Sequence, residues 1–491
     1  MIERVCLRRR LASSTYHPSS PLEGNDLSQE TLADQKIAVF GGNSPSLDDV
    51  CRHVASKENE KGSLPFFVMS IPRLQQAIKQ WSERMIRVKP FYSLRCNADP
   101  VLCRLLADHP NEMFNFEAQD AHLLEKALDL VPPDRILYSN PCLTRKALKH
   151  ADEVQVGTII IESERDLLNA ISYAPNAKLL IRVCMMSYLN CFSNDVETRF
   201  GCSFQEARDI LLIASELRGK VIGISFNMDA NANPSLYYKA LRSVKELMDE
   251  GERVGLTMRT ICLGGGFDGE KRNDFNELSD IINDSMDSLF PSSIDFICTP
   301  GRFFASPAFN LCTTVIAKRS TEAQVLTNDD FDSGFGFIYQ INEGIYGSFG
   351  CRLDNCNPKC RPLDSLPHHF EQFPAKILGP NVDGTDVAQP LTFLPQLSIG
   401  EWLVWDQMGA YSMPYDGETP QLPVYYYDSK KAWDDRHSPK NPLKRIDSDS
   451  GLGSDAGSEP PSDSEDWGDD EDQENLSPYF HRFFHQIQRQ F

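Results

Sequence analysis

The chain has 491 residues, of which 41% are hydrophobic and 24% charged, a composition typical of a soluble globular protein with two or three domains. No apolar run approaches the roughly 20 residues that a membrane-spanning helix needs. The net charge of −21 does not supply the basic face that nucleic-acid binding requires. Twelve acidic residues and no Lys or Arg lie between Asp447 and Glu474, so the rest of the chain carries only −9. We therefore expect no membrane insertion and no nucleic-acid partner.

The 14 cysteines are scattered without a disulfide framework, and several lie inside apolar segments. This pattern indicates reduced thiols and a cytoplasmic protein. Cys351, Cys356 and Cys360 form a loose group, but their spacing is not a standard zinc pattern and no histidine completes it nearby. We expect loop cysteines there and no metal site.

The first part of the chain alternates between strands and helices. Residues 1–34 are expected to be a disordered arm, with a mitochondrial presequence as the weaker alternative, and residues 35–63 to join a β domain. The alternation of strands and helices begins at Leu64–Met69. The predicted strands that follow lie at 90–95, 112–116, 135–138, 157–161, 178–184, 220–226, 259–263 and 294–298. Helical patterns of 10–15 residues separate these strands, which is typical of parallel βαβ units. Eight units predict a closed (β/α)8 TIM-like barrel over residues 64–303, with functional loops at the carboxyl ends of its strands.

The pattern changes after Arg302. Residues 304–428 are rich in strand patterns separated by Pro, Gly, Asn and Asp, which predicts a β domain. Residues 429–476 are Ser-, Asp- and Glu-rich and predict a disordered acidic tail. In residues 477–491, aromatic and apolar side chains recur at helical spacing and predict an amphipathic terminal helix that docks on its own barrel or binds a partner.

The segment Lys89–Asn97 reads Lys-Pro-Phe-Tyr-Ser-Leu-Arg-Cys-Asn. It resembles a barrel strand of the ornithine/diaminopimelate/arginine decarboxylase family, which are pyridoxal-phosphate enzymes. The resemblance covers roughly Lys36 to Tyr427 and is strongest to eukaryotic ornithine decarboxylases and antizyme inhibitors. It implies a (β/α)8 barrel beside a C-terminal β-barrel domain.

Two catalytic positions of the family are changed. The strand lysine that bonds the cofactor is Arg95 here, and a guanidinium stays protonated and cannot act as that nucleophile. The family's Glu-Pro-Gly-Arg, whose carboxylate keeps the pyridine nitrogen protonated, reads Thr299-Pro300-Gly301-Arg302. Asn115 replaces an aspartate beside the cofactor, whereas Arg182 is kept.

The phosphate cradle is only partly retained. Gly264-Gly265-Gly266 follows a barrel strand, where backbone N–H groups can approach a phosphate. Arg302 and Tyr411 match phosphate contacts of the family. The family's His-Val-Gly-Ser-Gly, however, reads Asn227-Met228-Asp229-Ala230-Asn231, so the ring-stacking histidine and the phosphate-binding serine are gone. Asp229 also brings a negative charge toward the phosphate position.

The substrate positions are mixed. The family's proton-donating cysteine is Val382 here, although the neighbouring Asp383 survives. The aspartate that meets the diamine end of the substrate aligns with Asn355, with Asp354 one residue earlier as a possible substitute.

Losing the imine lysine, the ring carboxylate, the stacking histidine and the cysteine together predicts a pseudoenzyme. We expect no cofactor, or weakly bound pyridoxal phosphate, held by vestiges of the family site. The alternative is a pyridoxal-phosphate-dependent decarboxylase of ornithine or another basic amino acid that makes putrescine, as a homodimer with sites across two subunits.

The resemblance to antizyme inhibitors implies antizyme as a partner, bound at about Leu143–Ile171. Arg145, Lys146 and Lys149 are suitable for an acidic partner. Four acids of the segment dilute this basic group and favour the alternative that all these charges are simply solvated: Asp152, Glu153, Glu162 and Glu164.

The acidic tail contains Asp449-Ser450-Gly451-Leu452-Gly453-Ser454, which fits a D-S-G-x-x-S phosphodegron. Phosphorylated Ser450 and Ser454 would be recognised by the basic pocket of an F-box ubiquitin-ligase receptor. The alternative is a chance match in a Ser/Asp-rich segment.

Overall fold

The computed structural model describes residues 27–41, 45–189, 200–229, 232–268, 272–354, 356–364, 371–414 and 421–437. These residues form a closed parallel barrel and a ten-stranded sheet. The predicted (β/α)8 barrel with an adjoining β domain is therefore confirmed. No helix among the described residues is long and apolar enough to cross a membrane.

The barrel is made of eight parallel strands that alternate along the chain with helices. The strands are β4 (Val88–Ser93), β5 (Asn115–Ala118), β6 (Ile136–Tyr138), β7 (Thr158–Ile161), β8 (Lys178–Val183), β9 (Val221–Phe226), β10 (Thr260–Cys262) and β11 (Asp295–Cys298). The ring closes where β11 pairs with β4. The predicted strand 112–116 begins three residues too early and ends two residues too early, because Pro110–Glu112 forms a 3-10 turn before β5.

Helices surround the barrel. Those before and between its strands are α2 (Ile71–Arg84), α3 (Pro100–Ala107), α4 (Ala121–Leu128), α5 (Arg145–Glu153), α6 (Glu164–Tyr173), α7 (Met185–Tyr188), α8 (Phe204–Glu216), α9 (Leu236–Arg253) and α10 (Arg272–Leu289). Several begin at a side-chain cap, as in α8, where Ser203 and Glu206 form a capping box. Their apolar faces pack on the barrel in one continuous core, in which Trp81 is fully buried.

The sheet domain uses both ends of the described chain. Its strands are β1 (Leu27–Leu32), β2 (Gln35–Phe40), β3 (Phe66–Ser70), β12 (Phe309–Glu322), β13 (Phe335–Ile341), β14 (Cys360–Pro362), β15 (Phe373–Leu378), β16 (Val387–Leu394), β17 (Trp402–Trp405) and β18 (Val424–Ser429). The order is β1-β2-β18-β3-β12-β13-β15-β16, with β17 pairing β12 and β14. Helix α1 (Leu47–Lys61) packs on this sheet through Val50, Cys51 and Val54.

Three boundaries differ from the expectations. Residues 27–32, placed in the disordered arm, form strand β1 in a hairpin with β2. The strand expected to open the barrel at residue 64 is β3, which lies in the sheet between β12 and β18. Residues 430–437, placed in the acidic tail, form helix α12 (Lys430–His437), held by buried Trp433 and by an ion pair between Arg436 and Asp428. Residues 1–26 and 438–491, including Ser450, Ser454 and the predicted terminal helix, lie outside the described residues.

The two domains meet through backbone and side-chain hydrogen bonds near the end of β4. Asn97 donates its amide to the carbonyl of Gly409 at 2.8 Å, and Tyr411 donates its backbone N–H to the carbonyl of Cys96 at 2.8 Å. These bonds place the Tyr411 segment of the sheet domain over the carboxyl ends of the barrel strands.

Candidate functional site

Arg95 lies in a turn just past the end of β4. The strand was predicted to reach residue 95, but Leu94–Cys96 turns away after Ser93 and leaves the Arg95 side chain exposed. Together with Tyr411 and Asp354, Arg95 lines a cavity of about 370 Å³ whose other walls come mostly from the sheet domain. The residue that replaces the family lysine therefore stands at the junction of the two domains.

Thr299 and Arg302 follow the last barrel strand. Thr299 is buried and supplies a hydroxyl where the family has a carboxylate. Arg302 opens the short helix α11 (Arg302–Ala305), donates to the backbone carbonyl of Asp354 at 2.5 Å and lies 5.2 Å from the centre of the Tyr411 ring. Burial raises the pKa of Tyr411, so its hydroxyl stays neutral. Arg302 and Tyr411, both expected as phosphate contacts, thus lie side by side, and their contact with a phosphate stays a prediction.

The glycine turn after β10 is packed tightly against the turn after β9. Gly264 and Gly266 have φ values of 65° and 90°, which favour glycine. A side chain at Gly264 would meet Oδ1 of Asn227 at 1.8 Å, and one at Gly266 would meet the carbonyl of Met228 at 2.1 Å. Close packing of two turns therefore explains these two glycines without a bound phosphate.

The same turn carries its own hydrogen-bond acceptor. The backbone N–H of Gly265 donates to Oδ1 of the Asn227 side chain at 3.3 Å. An N–H that would face a phosphate oxygen is used by the protein itself. In this arrangement the described residues do not fit pyridoxal phosphate, because Arg95 offers no nucleophilic amine and Thr299 offers no carboxylate.

A polar layer at the carboxyl ends of the strands lies above an apolar layer inside the barrel. The apolar layer is Phe91, Leu137, Ile160, Leu180, Cys262 and Ile297. The polar layer contains Ser93, Ser139, Glu162 and Arg182. Each of them follows a residue of the apolar layer by two positions and therefore lies on the same face of the barrel wall. Arg182 is buried and bonds Glu162 at 2.8 Å, and Glu162 also accepts from the backbone N–H of Gly201.

Glu117 is a member of this polar layer that the sequence analysis missed. It lies on β5 two residues after the buried Asn115, so the period of two places both on the inner face. Ser139 donates its hydroxyl to Glu117 at 2.7 Å, and burial raises the pKa of the Glu117 carboxyl. The nearby Arg182 lowers that pKa, so the Arg182 cation acts on two carboxyl groups, those of Glu117 and Glu162.

The substrate positions of the sheet domain lie apart from Arg95 within one chain. Val382 is fully exposed. Asp383 is also exposed and accepts hydrogen bonds from Thr385 and from the backbone N–H of Asp386. Neither residue lines the cavity beside Arg95 described above, whereas Asp354 does. Asn355 lies outside the described residues.

The predicted partner-binding cations lie together on α5. Arg145, Lys146 and Lys149 are all exposed, and Arg145 and Lys149 approach the ring of Tyr173 on α6 to 5.7 Å and 5.8 Å. Glu162, expected to dilute this basic group, instead points into the barrel mouth and is neutralised by Arg182. The expectation for Glu162 is therefore wrong, and the basic surface is less diluted than the sequence suggested.

Comparison with known proteins agrees with this architecture. Residues 72–306 match the family profile "pyridoxal-dependent decarboxylase, pyridoxal binding domain". Ornithine decarboxylase of Caenorhabditis elegans is 32% identical over 418 residues, covering 82% of this chain and 97% of the relative. Antizyme inhibitor 2 of Xenopus laevis is 29% identical over 399 residues, covering 79% and 85%.

A solved structure shows the same fold. The arginine decarboxylase of Paramecium bursaria Chlorella virus, bound to agmatine, superposes with a TM-score of 0.68 at 28% identity, covering 77% of this chain and all of that one. The chain therefore belongs to the ornithine decarboxylase and antizyme inhibitor branch of the pyridoxal-dependent decarboxylase family.

Proposed function

We propose that this chain is a catalytically inactive relative of ornithine decarboxylase that regulates polyamine biosynthesis by binding antizyme in the cytoplasm. The observation that carries the proposal is Arg95, which stands at the carboxyl end of β4 where the family's lysine is required. Its guanidinium remains charged at any accessible pH and cannot bond a cofactor aldehyde as a lysine amine does.

Other residues of the barrel mouth support the loss of chemistry. Thr299 supplies no negative charge for a pyridine nitrogen, and Asn227 takes the Gly265 N–H that a phosphate would use. Val382 has no proton to donate. Restoring one of these functions leaves the others missing, so inactivity does not depend on Arg95 alone.

The surface of α5 supports the choice of partner. Relatives of this chain include proteins named antizyme inhibitor, from Xenopus laevis and Rattus norvegicus. Arg145, Lys146 and Lys149 present three exposed cations on one helix, a surface suited to an acidic patch on a partner. Because Tyr173 holds two of these side chains in place, less side-chain entropy is lost on binding.

The test is direct binding of purified antizyme to the full chain, measured by biolayer interferometry. The double charge reversal R145E/K149E is expected to weaken binding by about tenfold or more, since like charges would then face the acidic partner. The matched control K239E/R242E reverses two exposed cations on α9, on another side of the barrel, and is expected to bind as the wild type does. Failure of the wild-type chain to bind antizyme would contradict the proposal.

A second candidate is an active decarboxylase that makes putrescine from ornithine as a homodimer. It is favoured by the 32% identity to an enzyme named ornithine decarboxylase over 97% of that enzyme's length. Carbon dioxide release from ornithine in the presence of pyridoxal phosphate, together with a borohydride-stable adduct on the protein, would support this candidate over the first.

A further inference from the structure

We infer that Asn227 acts as a built-in substitute for an anion at the glycine turn, and that its side chain weakens the binding of phosphate groups at the barrel mouth. This ligand specificity of the barrel mouth goes beyond antizyme binding, because it holds whether or not the α5 surface has a partner.

The glycine turn directs a backbone donor toward the barrel mouth. Gly264 and Gly266 keep the positive φ angles that turn the backbone N–H of Gly265 in this direction. That N–H donates to Oδ1 of Asn227 at 3.3 Å. An amide oxygen is a hydrogen-bond acceptor like a phosphate oxygen, so the donor is satisfied from within the chain.

The space around the turn is open only at Gly265. Its two neighbours have no room for further atoms, because Oδ1 of Asn227 and the carbonyl of Met228 lie where their side chains would be. Gly265 itself faces more open space, since the nearest atom, the carbonyl oxygen of Thr299, is 3.5 Å from the place that a Cβ would take. The Asn227 amide therefore occupies the side of the turn toward which the N–H of Gly265 is directed.

A positive charge lies three residues after Thr299, whose carbonyl oxygen is the nearest atom to the Cβ position of Gly265. Arg302 carries this charge, and its guanidinium contacts the Asp354 carbonyl and the Tyr411 ring. The attraction is kept, while the backbone donor that would complete the site is taken. A phosphate must displace the Asn227 amide, which the chain holds beside this N–H at a high effective concentration, on the order of millimolar.

The exposure of Asn227 distinguishes this role from simple packing. Its side chain is exposed, so it is not required to fill the core. Its removal should therefore leave the fold intact and free the N–H of Gly265. A small substitution is then enough to test the inference.

The experiment titrates the full chain with inorganic phosphate and, separately, with pyridoxal phosphate, using isothermal calorimetry and the shift in melting temperature. We expect N227A to bind phosphate at least about tenfold more tightly than the wild type, the effect of roughly one recovered hydrogen bond to an anion. N227D keeps an acceptor of the same shape and adds a negative charge, so it is expected to bind no better than the wild type.

The control N233A removes a nearby asparagine whose Oδ1 accepts from the backbone N–H of Ser235 at 3.0 Å, outside the glycine turn. It is expected to behave as the wild type. Wild-type binding as tight as that of N227A, or no gain in N227A while circular dichroism shows it folded, would overturn the inference. Equal gains in N227A and N233A would also overturn it, since they would indicate general loosening.

Discussion

Tyr426 donates its phenolic hydroxyl to the carboxylate of Asp99 at 2.8 Å, joining the strand β18 of the sheet domain to the start of helix α3 in the barrel. The other oxygen of Asp99 accepts from the backbone N–H groups of Val101 and Leu102, at 3.0 Å and 2.9 Å, and so caps that helix. The carboxyl group is buried, and burial raises its pKa to about 6. One residue therefore serves a helix cap and a domain junction.

This pair predicts a specific pH dependence of stability. Because the folded pKa of Asp99 lies above its ordinary value of 3.8, the folded chain holds a proton that the unfolded chain releases between about pH 4 and pH 6. The contribution of Asp99 to stability is therefore full below pH 3.8 and is lost as the pH rises through about 6. D99N has no carboxyl group at this position and does not lose this stability as the pH rises. The free energy of unfolding of D99N minus that of the wild type should therefore increase by about 2–3 kcal/mol between pH 4 and pH 7.

Urea unfolding of both proteins at several pH values measures this difference. The variant Y426F is a useful control, because the Tyr426 hydrogen bond lowers the pKa of Asp99 and its loss should move the transition to higher pH. Parallel pH profiles for the wild type and D99N would show that Asp99 titrates normally.

Trp81 predicts a large effect of one core substitution. Its ring is fully buried, and its centre lies 5.2–5.7 Å from the ring centres of Phe267, Phe275, Phe303 and Phe304. W81A should destabilise the protein by about 3–5 kcal/mol, because it leaves a cavity at the centre of this aromatic cluster. Its indole N–H has no hydrogen-bond partner among the described residues, so W81F loses volume but no hydrogen bond.

We therefore expect W81F to cost less than about 2 kcal/mol, as measured by chemical denaturation. A similar loss in W81A and W81F would mean that the larger indole ring is required at this position and that a phenyl ring cannot replace its packing.

Arg95 gives a prediction about chemistry. R95K restores the family's amine at the end of β4 but leaves Thr299, Asn227 and Val382 unchanged. We expect no carbon dioxide release from ornithine above the wild-type background, because the ring carboxylate and the proton donor are still missing. The assay is radiometric, with an active ornithine decarboxylase as the positive control. Turnover by R95K alone would show that the other changed positions are compatible with catalysis.

Periodicity in the sequence was sufficient to predict the barrel but not the partner of each strand. Strands β4 to β11 follow from the alternation of short apolar runs with helices, and eight such units close into a ring. Strand β3 is an uninterrupted buried run of five residues, Phe66–Ser70, and such a run fits a barrel strand or a central sheet strand equally well. Its place in the sheet is decided by pairing with β12, about 240 residues later in the chain.

Site residues that belong to a family motif could be predicted from the sequence. Residues that only the folded geometry brings to the site were missed. Arg302 and Tyr411 were matched by motif and do meet. Glu117 was missed although the period of two places it on the inner face with Asn115, because it lies outside the motifs that carry the family resemblance. Glu162 was counted among the acids that dilute the basic group because it lies within the segment 143–171, whereas it follows β7 and faces inward to Arg182.

Asp386 organises two loops of the sheet domain. Its carboxylate is buried and accepts from the backbone N–H of Ile345 at 2.8 Å and from the backbone and side-chain N–H groups of Asn381 at 2.9 Å and 2.8 Å. Gly344 and Gly379 leave room for it, since a Cβ at either position would lie within 2.3 Å of an Asp386 oxygen. One carboxylate thus ties the loop before the 3-10 segment Ser348–Asp354 to the loop after β15.

We predict that D386A destabilises the protein by about 3 kcal/mol, because three buried or partly buried donors lose a charged acceptor at once. D386N should be intermediate, since its amide oxygen can still accept from Ile345 while its NH₂ group faces the donors of Asn381. Denaturant unfolding gives the energies, and hydrogen exchange at the Ile345 amide reports the loop itself. Because the Ile345 N–H is held only by Asp386 among the described contacts, its exchange should accelerate in D386A more than that of the Tyr339 amide in strand β13. Equal protection of Ile345 in D386A and the wild type would mean that the loop is held by other contacts.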